Sequence, residues 1–227
     1  MGLATRLGIG LGLDGRAALM PADLMALPSS AALDLAADYE RRTFLYDGWR
    51  DQLVERLALR RGDTVLDVSC GPGLNLPALR ERVGPSGLII GIEESPELLE
   101  VARHRVRLRG WRNVRLLPAA PTSAELPTGA DAALLSAADD VLQSPTRLAQ
   151  LLTRLIPGAR VAAGGWKLPS GLMWPLRFYV KALYGPMMGA TERLDEPWRA
   201  LSRHVPDLVV GELGFGTGYL AHGTVRT

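Results

Sequence analysis

One cysteine among 227 residues, Cys70, excludes an internal disulfide and any cysteine-rich zinc site. The three histidines, His104, His204 and His222, are too scattered to suggest a metal centre. Lysine is nearly missing: Lys167 and Lys181 stand against twenty-four arginines, amid so much Ala, Leu and Gly that genome base composition accounts for the bias. Net charge is only +2, too small by itself to point to nucleic acid. The densest cationic stretch, Arg103, Arg105, Arg107, Arg109, Arg112 and Arg115, reads as a solvated helix and turn. Residues two apart on a helix lie about 200° apart around its axis, so these arginines form no single stripe. No apolar run approaches the roughly 20 residues of a membrane span. The opening run is cut by Asp14 and Arg16 without a small-residue cleavage pattern, so no secretory leader and a cytoplasmic location are expected.

What is present is the composition of a globular protein, 47% hydrophobic and 22% charged, long enough for one full core. A helical pattern runs from about Ser30 to Leu59, with Ser29 or Ser30 as N-cap and Gly48 expected to divide it into two helices around "FLYDGW". The rhythm then changes to short apolar runs alternating with helices. Strands are predicted at 64–68, 87–92, 113–117, 131–136 and 159–165. Between them, "SPELLEVARHRVRLRG" and "SPTRLAQLLTRLIPG" each begin Ser-Pro, an N-cap followed by proline at the first helical position. The second is expected to stop at Pro157-Gly158. Such alternation predicts a parallel sheet with helices on both faces, joined by right-handed crossovers. After Gly165 it stops: a bulky segment, 172–188, precedes two strand-like runs, 207–213 and 217–225, around a glycine-rich turn. They predict a closing antiparallel hairpin.

In an open α/β sheet, ligands bind at the carboxyl ends of the strands. The first strand exits into "DVSCGPG", where Gly71 and Gly73 allow the backbone to turn tightly and approach a ligand. The second exits into "GIEES", which places Glu93 where a carboxylate accepts ribose hydroxyls. A dehydrogenase would also combine glycines with such an acid. This loop lacks G-x-G-x-x-G spacing, and Asp67 precedes the glycines, where a pyrophosphate would meet an anion. An acid there suits a ligand that carries an ammonium group.

The stretch "VLDVSCGPGLNLPALRERVGPSGLIIGIEESPELLEVARHRV" resembles the first two motifs of class I S-adenosylmethionine-dependent methyltransferases, with the likeness covering about 60–165. "YDGWR" and "EPWRALSRHVPDLVVGELGFGTGYLAHG" look like bacterial ubiquinone/menaquinone C-methyltransferases and phospholipid N-methyltransferases. The resemblance implies a Rossmann-like α/β fold of seven mostly parallel strands with a C-terminal antiparallel strand. It implies lead-in and lid helices over 1–59 and a cofactor-binding catalytic domain over 60–227. It also implies S-adenosyl-L-methionine as cofactor and methyl transfer to a small molecule, with no nucleic acid or integral membrane partner.

By the same resemblance, Asp67, Ser69, Gly71 and Gly73 lie near the methionine part and Glu93 on the ribose. Ala120 sits at the adenine end, Tyr46 covers the cofactor, and Ser136 to Asp140 face the methyl group. Asp139 and Asp140 are the candidate bases; Trp166, Tyr179 and Tyr184 are candidates for the substrate wall. Each also has a plainer role open to it, as a helix cap for the acids and as core for the aromatics. Three positions depart from the family: Ser69 stands where a glycine is usual, Ala120 where an acid is usual, and Asp139 where relatives often show histidine. Aminocarboxypropyl transfer, cyclisation releasing methylthioadenosine, or ligand binding without methylation stay open beside methyl transfer.

Overall fold

The computed structural model describes residues 27–123, 125–170, 173–184 and 194–226, the side chains of Leu45, Tyr179, Leu183 and Tyr184 excepted. The lead-in expected over residues 1–26 lies outside the described residues.

Among the described residues, seven strands form one sheet: β1 (Thr64–Val68), β2 (Leu88–Glu93), β3 (Val114–Pro118), β4 (Ala130–Ser136), β5 (Leu155–Trp166), β6 (Val209–Leu213) and β7 (Gly218–Thr224). Their order is β3-β2-β1-β4-β5-β7-β6. The first five pair in parallel, and β7 runs antiparallel to both of its neighbours. The order reverses between β1 and β4, which makes their carboxyl ends the switch point where this architecture binds ligands.

Near-continuous apolar runs become the central strands because both faces are covered. Leu66 and Val68 of β1 enter one core with Ile90, Ile92, Ala133 and Leu135. Val65 enters the other, with Leu53, Val54, Leu76 and Leu79. Side chains two apart on a strand share a face, so Asp67 follows Val65 onto the second side.

The helices are α1 (Ser30–Thr43), α2 (Asp47–Arg56), α3 (Leu76–Val83), α4 (Pro96–Leu108), α5 (Asp139–Leu142), α6 (Pro145–Leu152) and α7 (Leu176–Tyr184). The expected caps form: Ser29, Ser95 and Ser144 accept from the backbone N–H of Ala32, Leu98 and Arg147. Ser29 also donates to Glu100, and Arg105 pairs with Glu40 at 3.0 Å, so α1 is held against α4. Among the described residues, no helix is long and apolar enough to cross a membrane.

Two boundaries differ from the sequence expectation. The N-terminal helical stretch divides within "FLYDGW" as expected, but at a 3₁₀ turn over Phe44–Tyr46, with Gly48 inside α2. The bulky aromatics there find partners across the fold, and a glycine costs an exposed helix only about 1 kcal/mol. Pro157-Gly158 does not stop a helix: α6 ends at Leu152, and these residues belong to β5. The pairing of β4 with β5 shifts register between Ala130 and Ala132, which accommodates the proline in an irregular strand start.

Candidate active site

The loop after β1 is built from left-handed residues. Ser69 has φ 55°, Gly71 56° and Gly73 81°. Gly73 is doubly required, since a Cβ there would also lie 2.6 Å from Leu76 Cδ1. Ser69 occupies backbone space that favours glycine, which is the physical reason a glycine is usual at this position; the serine costs about 1–2 kcal/mol of local strain. Cys70 packs over β2, its sulfur 3.0 Å from where a Cβ on Gly91 would lie, and burial pushes its thiol pKa up. It is a packing residue rather than a nucleophile.

Glu93 ties this loop to the next. Its two carboxylate oxygens accept from the backbone N–H of Gly71 and of Ser95, each at 2.8 Å. A carboxylate has about four lone-pair sites, so two remain for hydroxyl donors.

Asp67 is fully buried. Asn75 Nδ2 donates to its Oδ1 at 3.1 Å, while Oδ2 and Asn75 Oδ1 have no partner. Burial pushes the Asp67 pKa up to about 7, against the lowering effect of Asn75 and of the Arg50 charge. Arg50, itself buried, donates to Thr43 Oγ1 at 2.8 Å, pairs with Asp47, and lies over the Tyr46 ring at 5.3 Å. Tyr39 of α1 closes the loop from above: a Cβ on Gly71 would meet its ring at 3.5 Å. The result is a cradle of glycine backbone with one unsatisfied carboxylate oxygen. An ammonium group would satisfy that oxygen.

Beyond the ends of β4 and β5 lies a second group of polar atoms. Ser136 is buried beside the Tyr46 hydroxyl. Asp139 opens α5, and burial, then the neighbouring Asp140, pushes its pKa up to about 7; its Oδ1 has no partner. Asp140 is half-exposed and bonded to Arg147, which also holds Glu94, at 2.7 Å each. The two candidate acids are thus in opposite states, one buried and unpaired, the other in a surface ion pair.

Trp166 is buried, with ring centres 6.0 Å from Tyr46 and 5.2 Å from Trp49. The side chains of Tyr179 and Tyr184 lie outside the described residues. At the expected adenine end, the Ala120 carbonyl already accepts from the Ser123 N–H at 2.9 Å.

Four residues of this region escaped the sequence reading. Asn75 stands two residues past Gly73, and an amide that close to a glycine loop is a usable signal. Arg50 reads in sequence as one more surface arginine. Lys167, buried and bonded to Glu212 at 2.5 Å, and Tyr219 come together only through the pairing of β5 with β7 and β6.

Sheet order, glycine loop and terminal acid together are those of the class I S-adenosylmethionine-dependent methyltransferase fold, and the chain shares that fold. Residues 49–152 match the family model described as Protein-L-isoaspartate(D-aspartate) O-methyltransferase. Over 65 residues the chain is 46% identical to a protein-L-isoaspartate O-methyltransferase of Ignicoccus hospitalis, covering 29% of this chain and 31% of that one. Over 69 residues it is 38% identical to a demethylmenaquinone methyltransferase of Geobacillus stearothermophilus, covering 30% of each. The chain thus spans about a third of the length of these curated relatives. An S-adenosylmethionine-dependent methyltransferase structure from Aquifex aeolicus shares the fold with TM-score 0.55, over 91% of this chain and 99% of that one, at 21% identity.

Proposed function

We propose that this protein binds S-adenosyl-L-methionine at the carboxyl ends of β1 and β2 and transfers its methyl group to a small molecule. The observation that carries the reading is the buried Asp67 oxygen without a partner beside the left-handed loop Ser69–Gly73. A carboxylate kept there at a desolvation cost needs a cation, and the cofactor's amino group is one. Asp67 holds that ammonium. The loop backbone at Ser69, Gly71 and Gly73 borders the methionine part, and the open lone pairs of Glu93 take the ribose hydroxyls. Ala120 borders the adenine. Tyr39 and Tyr46, from lid segments within residues 1–59, cover the site of the domain over 60–227.

When bound, the cofactor supplies an electrophilic methyl group on a sulfonium. The chain contributes position, a dry environment and a proton acceptor. Asp139 is that acceptor, because a carboxyl with a pKa near 7 is suited to general-base work at neutral pH. Asp140 is engaged by Arg147. Ser136 lies beside the methyl group, and Trp166, Tyr179 and Tyr184 line the acceptor side. Incubation with S-adenosylmethionine and a metabolite extract, followed by mass spectrometry of the sulfur products, tests the reading. S-adenosylhomocysteine with a methylated product is expected. Methylthioadenosine would mean aminocarboxypropyl transfer or cyclisation instead, and no turnover would mean a binding protein.

A further inference from the structure

The antiparallel pairing of β5 with β7 sets Gly165 opposite Tyr219. Tyr219 is fully buried beside Trp198, with ring centres 5.1 Å apart, and its hydroxyl has no hydrogen-bond partner. Asp139 Oδ1, arriving from α5, has none either. Both atoms face one point: a Cβ on Gly165 would lie 3.4 Å from Asp139 Oδ1 and 3.7 Å from the Tyr219 hydroxyl. Those are ordinary contacts, and the backbone at Gly165 is not in the left-handed region. Neither strain nor clash demands a glycine here. What the missing side chain leaves is a notch with a phenol and a carboxyl on its walls. Buried polar groups in folded proteins are nearly always hydrogen-bonded, so two orphans on one notch point to a ligand atom between them.

We infer that Gly165, Asp139 and Tyr219 form the acceptor subsite, and that it takes a phenolic or enolic hydroxyl. This rests on the methyl-transfer reading above. The pairing of one donor with one acceptor selects the chemistry. Tyr219 donates to the substrate oxygen, and that oxygen's own proton is donated to Asp139. A carboxylate substrate would face the Asp139 charge, and an ammonium would leave the phenol proton without an acceptor. In the reaction, the substrate proton passes to Asp139 as the oxygen–methyl bond forms and the methyl–sulfur bond breaks, its electron pair remaining on sulfur. The base is thereby protonated, and it returns the proton to solvent on product release.

The test uses para-nitrophenol, whose phenolate absorbance reports both binding and the fate of its proton, with S-adenosylhomocysteine binding followed in parallel by calorimetry. Wild type should bind para-nitrophenol in the presence of S-adenosylhomocysteine. Gly165→Ala, which fills the notch, should weaken it by about tenfold or more, the worth of roughly one hydrogen bond. Tyr219→Phe should weaken it by several-fold, yet melt at or above the wild-type temperature, since it deletes an unsatisfied buried hydroxyl. A merely structural tyrosine would lower the melting temperature instead. All three proteins should bind S-adenosylhomocysteine within about twofold of one another, a difference under roughly 0.5 kcal/mol. Intact S-adenosylhomocysteine binding with para-nitrophenol binding absent, or equal in all three, overturns the subsite alone. Loss of S-adenosylhomocysteine binding in wild type overturns the methyl-transfer reading and the subsite with it.

Discussion

Replacing Asp67 with Asn should make the protein more stable, by an amount that grows from about pH 4 to about pH 7. Asp67 is fully buried, and burial pushes its pKa up to about 7 from the ordinary 3.8. The folded protein therefore holds a proton over the window in which the unfolded chain has lost it. Below about pH 4 both states are protonated and there is no penalty. Between about pH 4 and 7 the penalty grows, and above 7 it is complete. A rise of roughly three units at 1.36 kcal/mol each gives an upper bound of about 4 kcal/mol. An asparagine amide oxygen at position 67 still accepts from Asn75 and carries no charge to desolvate. Asp139, with its own pKa near 7, is common to both proteins and cancels in the comparison. Urea denaturation of wild type and Asp67→Asn should show a difference of about 1–1.5 kcal/mol at about pH 5, widening to about 2–4 kcal/mol in favour of the variant at about pH 8. A gap that stays constant with pH, or a variant less stable at alkaline pH, would refute the reasoning. By the proposed function, the same substitution should also cost affinity for the ammonium-bearing ligand.

Four other outcomes follow from the geometry. Ser69→Gly relieves left-handed strain of about 1–2 kcal/mol while loosening the unfolded chain by about 0.5–1 kcal/mol, so a net gain of roughly 0.5–1 kcal/mol in chemical denaturation is expected. Gly73→Ala combines a φ of 81° with a 2.6 Å collision with Leu76 and should lose at least about 2 kcal/mol by the same assay. Glu93→Ala leaves the N–H groups of Gly71 and Ser95 without their acceptor, so it should lower stability by about 1–3 kcal/mol as well as weaken S-adenosylmethionine binding. Normal stability with weakened binding would limit Glu93 to the ligand. Asp139→Asn should lower turnover with cofactor affinity nearly intact, whereas Asp140→Asn, which breaks only an exposed pair, should change turnover little.

The half of the fold proposed to bind the cofactor was legible because local chemistry determines it. Ser-Pro starts fix two helices, apolar runs fix the buried strands, and acid-glycine spacing fixes the loop. Where expectation and structure part, tertiary contact prevailed. Tyr46 and its 3₁₀ turn pack against Trp49 and Trp166, so the helix breaks there and not at Gly48. Pro157-Gly158 joins a strand because Leu155 finds Ala130 across the sheet. The candidate site residues divide in the same way. Asp67 and Glu93 stand at strand exits and announce themselves, while Arg50 and Tyr219 owe their places to α2 folding under Tyr39 and to strand pairing. Ser69 is the instructive intermediate. Sequence marks it as unusual, and only its φ of 55° says why.

The most direct test of the central claim is a calorimetric titration of S-adenosylmethionine and methylthioadenosine into wild type and Asp67→Asn. If the unpaired Asp67 oxygen receives the cofactor's ammonium, wild type binds S-adenosylmethionine at one site, and the substitution weakens that ligand far more than methylthioadenosine, which lacks the amino acid portion. No binding of S-adenosylmethionine to wild type at millimolar concentration, or equal losses for the two ligands, would contradict the account.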